Sequence, residues 1–204
     1  AGGGDYSWRI IREDRIESQL VHLISDKIDG GPILDSKTTI FPSYCKVPID
    51  YRNYSKKTFR EFYESFIDKI LKKKSFNIQI QSENLGRYNP RLNTNLNGYI
   101  DWNMDAHQLY NFINAFDDPF KGASTFLNNK KFGRLYIKKV HLHGGDSSNH
   151  PYMTGLISRH DKNWVVVSTT NKYMLLIEEV LNSKGENIIT KLKPGDRFLT
   201  PIKY

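Results

Sequence analysis

Apolar residues in the first half of the chain fall into two rhythms. Between Lys56 and Leu71, the residues Phe59, Phe62, Phe66, Ile67, Ile70 and Leu71 share one stripe at helical spacing, which predicts an amphipathic helix. Ser55 stands where an N-cap belongs, and Lys72-Lys73-Lys74 sit at the negative pole of the helix dipole. A second helix follows Asp105. Gln108 stands three residues on, at capping-box spacing, and Ala106, Leu109, Phe112, Ile113 and Phe116 share one face. Ser18–Ile24 instead reads as a strand that runs into the turn Ser25–Pro32, with Ile33-Leu34 and Thr38–Phe41 as its returning partner. Tyr6–Ile11 reads as a strand or as a buried helical turn.

From Gly133 the pattern becomes that of strands. Leu135, Ile137, Val140 and Leu142 flank Lys138-Lys139. Trp164–Val167 is a buried-strand run, and Tyr173–Val180 is placed to pair with it across residues 169–172. Several short strands in this space predict a small closed or sandwiched β module, with an OB-like barrel as the reading. Residues 75–98 are polar and asparagine-rich, and make the natural linker.

Composition narrows the field. Of 204 residues, 38% are hydrophobic and 13% aromatic, which is foldable and argues against disorder. No run approaches the length of a membrane-spanning helix. The single cysteine, Cys45, excludes an internal disulfide and a cysteine-based zinc site, so a reducing, cytoplasmic setting is expected. The formal net charge is +8, with 11 Lys+Arg against 6 Asp+Glu in residues 133–204, which is compatible with a polyanionic partner or with ordinary solubility. The opening Ala1-Gly2-Gly3-Gly4 has neither an initiator Met nor a signal-peptide pattern, and abuts an apolar element at once. The sequence therefore reads as a fragment of a longer chain.

Candidate chemistry centres on Asp29 in Ile28-Asp29-Gly30-Gly31. A carboxylate at the mouth of a strand, followed by glycines that let a ligand approach the backbone, suits a catalytic acid or a pKa-tuning partner; a turn aspartate capping its own backbone is the other reading. His141 and His143 share a strand face, near His150 and His160, but with no cysteine beside them no metal is expected. Arg134, Lys138, Lys139, Arg159 and Lys162, interleaved with Tyr136 and Trp164, offer a basic face for RNA. The chain has no P-loop, no dinucleotide glycine motif and no serine-hydrolase elbow.

Several stretches, in order, resemble the formyltransferases that use 10-formyltetrahydrofolate. Leu20–Leu34 resembles the family's strand leading into an Asp-x-Gly turn. Pro90-Arg91 through Gly98-Tyr99-Ile100-Asp101-Trp102 resembles its linker-to-helix signature. Ile113-Asn114-Ala115-Phe116 and Pro119-Phe120-Lys121-Gly122-Ala123 continue it, with Asn114 where Arg is usual and Lys121 where Pro is usual. Gly155, the Trp164 strand and Lys193–Phe198 are similar to its terminal module.

The resemblance implies an α/β fold: the C-terminal part of a Rossmann-like catalytic domain (residues 1–75), a linker (76–98) and a mostly β, OB-like domain (99–204). It implies 10-formyltetrahydrofolate as formyl donor, Asp29 as the catalytic carboxylate, and Ser25, Asp26, Lys27 and Ile28 against the folate. The family's catalytic Asn and His precede the Asp in a part absent from this sequence, so the fragment alone is expected to be inactive. The acceptor would be initiator methionyl-tRNA, slightly favoured by the charge. A nucleotide-linked amino sugar fits the atypical Phe41–Pro48 stretch, and a non-catalytic RNA-binding module of the same fold is the third reading.

Overall fold

The computed structural model describes residues 5–82, 88–128, 131–144, 149–170 and 172–201. A short helix, α1 (Asp5–Ile11), precedes an antiparallel pair, β1 (Ile16–His22) and β2 (Ile33–Ile40), in register from Ile16 opposite Ile40 to Val21 opposite Asp35. Residues 6–11, legible as either strand or helix, are helical, and Ser7 Oγ anchors them by donating to Ala115 O at 2.7 Å.

The long helix, α2, runs Pro48–Leu71 and starts two turns earlier than the apolar stripe predicts. Pro48 occupies the first turn, where its missing N–H costs nothing, and Asp50 Oδ2 accepts the N–H groups of Lys46 (3.0 Å) and Val47 (3.2 Å). Ser55 is therefore not the cap. It lies inside the helix and donates to Glu17 Oε1. Of the predicted stripe, Phe62 and Phe66 are buried, while Phe59, Ile70 and Leu71 remain exposed.

A single turn, α3 (Thr94–Asn97), leads to α4 (Ala106–Ala115), whose capping box forms as its sequence dictates. Gln108 N–H donates to Asp105 Oδ1 at 2.9 Å, and Asp105 N–H donates to Gln108 Oε1 at 3.2 Å. Then come β3 (Ala123–Leu127), β4 (Leu135–Gly144), β5 (Ile157–His160), β6 (Val165–Val167), β7 (Tyr173–Leu181) and β8 (Phe198–Leu199). They form one antiparallel sheet in the order β5-β6-β7-β4-β3-β8.

The two ends of that sheet meet. Ile157 N–H donates to Asp196 O at 2.8 Å and Phe198 N–H to Gly155 O at 2.8 Å, joining the start of β5 to β8 and closing the curled sheet into a barrel. Gly155 is required at the seam: its φ is +73°, and a Cβ there would lie 2.3 Å from Phe198 O. Inside, Trp102 stacks on Phe198 at 5.5 Å. Ile100, Leu135, Ile137, Ile157, Val165, Leu175 and Ile177 are fully buried around them. The same apolar cluster continues through Leu109 and Ile113 of α4 to Ile10, Phe41, Cys45 and Tyr51. No helix among the described residues is long and apolar enough to cross a membrane.

Candidate functional site

The β1–β2 pairing carries residues 23–32 outward as one loop. Its neck is closed by Leu23 N–H donating to Pro32 O at 2.9 Å. Gly31 sits so tightly beneath Leu23 that a Cβ would fall 1.7 Å from the Leu23 carbonyl oxygen. The Gln81 side-chain amide then spans the loop, donating to Asp29 O at 2.9 Å and Gly31 O at 2.7 Å. The chain is thus clamped on both sides of Gly30.

Asp29 itself adopts a left-handed conformation, φ +54°, which aspartate tolerates better than most residues. Its carboxylate is 90% exposed and stands 4.0 Å from His22 Nε2. His22 Nδ1 lies 2.9 Å from Leu23 O, so the tautomer with hydrogen on Nδ1 satisfies that carbonyl and turns Nε2 to the carboxylate. His22 was not singled out by the sequence pattern. The only available signal was its place seven residues before Asp29, at the opposite foot of the turn.

The predicted folate contacts, Ser25, Asp26, Lys27 and Ile28, line the same loop. Ser25 Oγ donates to Lys27 O at 3.1 Å, and Lys27 O also accepts Gly30 N–H at 3.2 Å. Asp26 is exposed, and Ile28 stands 96% exposed at the tip. These residues therefore present backbone and an apolar side chain outward together, next to the carboxylate.

The five predicted basic residues are not gathered on one patch. Arg134, at the start of β4, lies over the Tyr99 ring at 4.2 Å. It donates to Asn95 O and Ser124 Oγ, both at 2.9 Å. Lys138 is 8% exposed and is held by Asp117 Oδ1 at 3.3 Å and by Asp118. Desolvation pulls its pKa down, but the hydrogen bond to Asp118 and the charge of Asp117 outweigh that and hold it above the ordinary lysine value. Lys139 reaches Glu179 at 3.5 Å. Arg159 contacts His143 at the far end of β4, about 30 Å along the strand from Arg134 at about 3.3 Å per residue. Lys162 is exposed in the turn between β5 and β6.

The histidines separate likewise. His141 faces Glu178 at 3.6 Å, His143 meets Arg159, His150 accepts Tyr152 N–H at 3.2 Å, and His160 lies 3.1 Å from Ile189 O. Among the described residues no group of three or more His, Cys, Asp or Glu could hold a metal ion.

Comparison with known proteins assigns the C-terminal half of the chain. Residues 94–191 match the family described as formyl transferase, C-terminal domain. Over 137 residues the chain is 28% identical to the bifunctional polymyxin resistance protein ArnA of Wigglesworthia glossinidia brevipalpis, a match that spans 64% of this chain and 19% of that protein. An N-formyltransferase from Helicobacter canadensis, solved with folinic acid and dTDP-3-aminofucose, superposes with a TM-score of 0.63 at 18% identity, over 87% of this chain and 61% of that one. HypX from Aquifex aeolicus, solved with tetrahydrofolic acid, gives 0.61 at 17% identity, over 91% of this chain and 31% of that one. At such identities the likeness is one of fold, and the chain spans less than two thirds of each relative's length. Residues 94–191 thus carry a formyltransferase C-terminal domain, and the chain as a whole shares the fold of these solved relatives.

Proposed function

We propose that the protein takes part in N-formyl transfer, moving a formyl group from 10-formyltetrahydrofolate to a primary amine at the Asp29 turn. The observation that carries this reading is the clamped loop: a rigid backbone, fixed by Gln81 and Gly31, holds an exposed carboxylate beside an imidazole. A neutral amine attacking the formyl carbon generates an ammonium and an oxyanion; the ammonium must lose a proton and N10 of the folate must gain one as its bond to the formyl carbon breaks and the oxyanion re-forms the carbonyl. Asp29 orients and stabilises an imidazolium or accepts the amine proton. The exposed backbone of Ser25–Ile28 supplies edges against which the pterin of the donor is recognised.

For the acceptor we favour an amino sugar on a nucleotide carrier. The five cations that would form a polynucleotide face are spread along β4 and β5. Arg134, Lys138, Lys139 and Arg159 each have a partner within the protein, leaving Lys162 at a surface turn. Initiator methionyl-tRNA, supported by the net charge of +8, is the second reading. A non-catalytic RNA-binding module is the third.

The test is formyl transfer by the full-length protein from 10-formyltetrahydrofolate to a dTDP-linked amino sugar and to methionyl-tRNA. Asp29→Asn keeps the side-chain shape and the tolerance of left-handed φ, and should lower kcat by about 10²–10⁴-fold. Unchanged turnover in that variant overturns the assignment of Asp29. Binding of tRNA that weakens steeply with salt, together with transfer to methionyl-tRNA alone, replaces the sugar reading.

A further inference from the structure

A partly enclosed cavity with polar and apolar walls lies at the opposite end of the β1–β2 hairpin from Asp29. β2 is eight residues long, so at about 3.3 Å per residue the two ends stand roughly 25 Å apart. The cavity, about 390 Å³, opens between α1, the loop after β2 and α4. That volume lies within the usual range of small-molecule sites.

Arg15 gives the cavity a fixed charge. Its Nε donates to Phe41 O at 3.1 Å and its Nη2 to Phe41 O at 2.8 Å and to Pro42 O. Nη1 reaches Cys45 O and Tyr51 Oη, both at 3.4 Å. Carbonyl oxygens satisfy donors without cancelling the charge, and no described carboxylate forms an ion pair with Arg15. Burial raises the pKa of Cys45 and of Tyr51; at Cys45 the Asp50 charge raises it further and Arg15 pulls it down, while at Tyr51 Arg15 is the largest opposing influence. Asp50 accepts backbone N–H groups at the start of α2 and Asp14 pairs with Arg9 at 3.3 Å, so neither is ion-paired with Arg15. Exposed Lys46 adds a second cation at the rim.

The other wall has a different character. Glu13, at φ +57°, is tied to Asn111 Nδ2 at 2.7 Å, and the half-buried ring of Tyr110 lies beside them. An anion is favoured at the Arg15–Lys46 end and disfavoured at the Glu13 end, where a flat, uncharged body fits against tyrosine. We propose that this cavity is a second binding site, separate from the Asp29 turn, for a small metabolite that joins one carboxylate or phosphate group to a planar ring. The proposal does not rest on formyl transfer.

Calorimetric titration of the protein with benzoate, phenyl phosphate and phenol tests it. At least one of the two anions should bind saturably and at least about tenfold more tightly than phenol, which carries the ring without the charge. Which anion binds better assigns the head group as carboxylate or phosphate. Lys46→Glu, at an exposed position that folding does not depend on, should weaken that binding about tenfold or more, and Lys46→Arg should retain it. Asp29→Asn should leave it unchanged. The site is overturned if neither anion saturates by about 10 mM, a level weaker than any useful affinity. It is equally overturned if phenol binds as well as the anions, or if binding survives Lys46→Glu but is lost in Asp29→Asn.

Discussion

In β4, Leu135, Ile137 and Val140 point into the barrel at 0–3% exposure, and the residues between them are those that meet solvent or ion pairs. In β1 the alternation is the same but its sense is reversed. Ile16 stands 58% exposed opposite Ile40 at 69%, and Leu20 is 37% exposed, while Glu17 and Gln19 take the inner face against α2. There Gln19 Nε2 donates to Thr58 Oγ1 at 2.6 Å and to Ser55 O at 3.2 Å, and Ser55 donates to Glu17. One sheet is held by area removed from water, the other by side-chain hydrogen bonds, each of which contributes only about 1 kcal/mol net. Stability therefore resides in the barrel, and the hairpin is free to be shaped by the loop it carries.

The largest effect should come from the buried lysine on the barrel side. Lys138→Met leaves the Asp117 carboxylate, 2% exposed, without its cation, and should cost about 3–5 kcal/mol in chemical denaturation. The raised pKa of Lys138 sets the pH window. A group whose folded pKa lies above its unfolded value stabilises fully below the unfolded value, about 10.4, and loses that contribution as pH rises through the folded one. The gap between wild type and variant should stay level from neutral pH to about 10 and shrink above it. A gap that instead opens above pH 10 would contradict this account.

Next, the same truncation in the two sheets separates them directly. Ile177→Ala, at 0% exposure in β7, should cost about 2–5 kcal/mol; Ile16→Ala should stay within about 0.5 kcal/mol. Equal losses in a melting comparison would show that the outer face of β1 is covered in the folded protein, and the contrast would fail.

What could be read from the chain follows from this difference. The Asp105–Gln108 box, the β1–β2 hairpin and the pairing of β6 with β7 are local, so periodicity and turn residues suffice. The early start of α2 rests on Pro48 and Asp50, which lie outside the apolar stripe, and its first turns pack through Tyr51 on Phe41 at 4.4 Å. The turn around Asp29 was legible from its glycines, yet the His22 imidazole beside it needs the hairpin register to come into view. The partners of Lys138 lie about twenty positions earlier, so a buried ion pair read as a surface cation.

A smaller effect should mark the loop. Gly31→Ala drives a Cβ into the Leu23 carbonyl, and the cheapest relief is to open the Leu23–Pro32 bond. Overpacking of this kind costs about 1–3 kcal/mol, here confined to the hairpin. Amide exchange should accelerate at Leu23 and Gly30 and remain unchanged at β4 and β7. Acceleration that spreads into the barrel would mean that the two regions unfold as one.

The smallest change in stability should come at the tip, where Ile24 and Ile28 are 98% and 96% exposed. Ile24→Ser and Ile28→Ser remove apolar surface that already faces water, so the melting temperature should move by no more than the shift of about 0.5 kcal/mol typical of surface positions. Their functional effect should run the other way. If Ser25–Ile28 lies against the folate, Ile28→Ser should raise the KM for 10-formyltetrahydrofolate about tenfold or more with kcat little altered, because it removes binding shared by ground and transition states. Ile24→Ser, outside that segment, should not. A drop in kcat with unchanged KM for Ile28→Ser would place the loop in the chemistry rather than in donor binding, and a silent variant would remove Ile28 from the site.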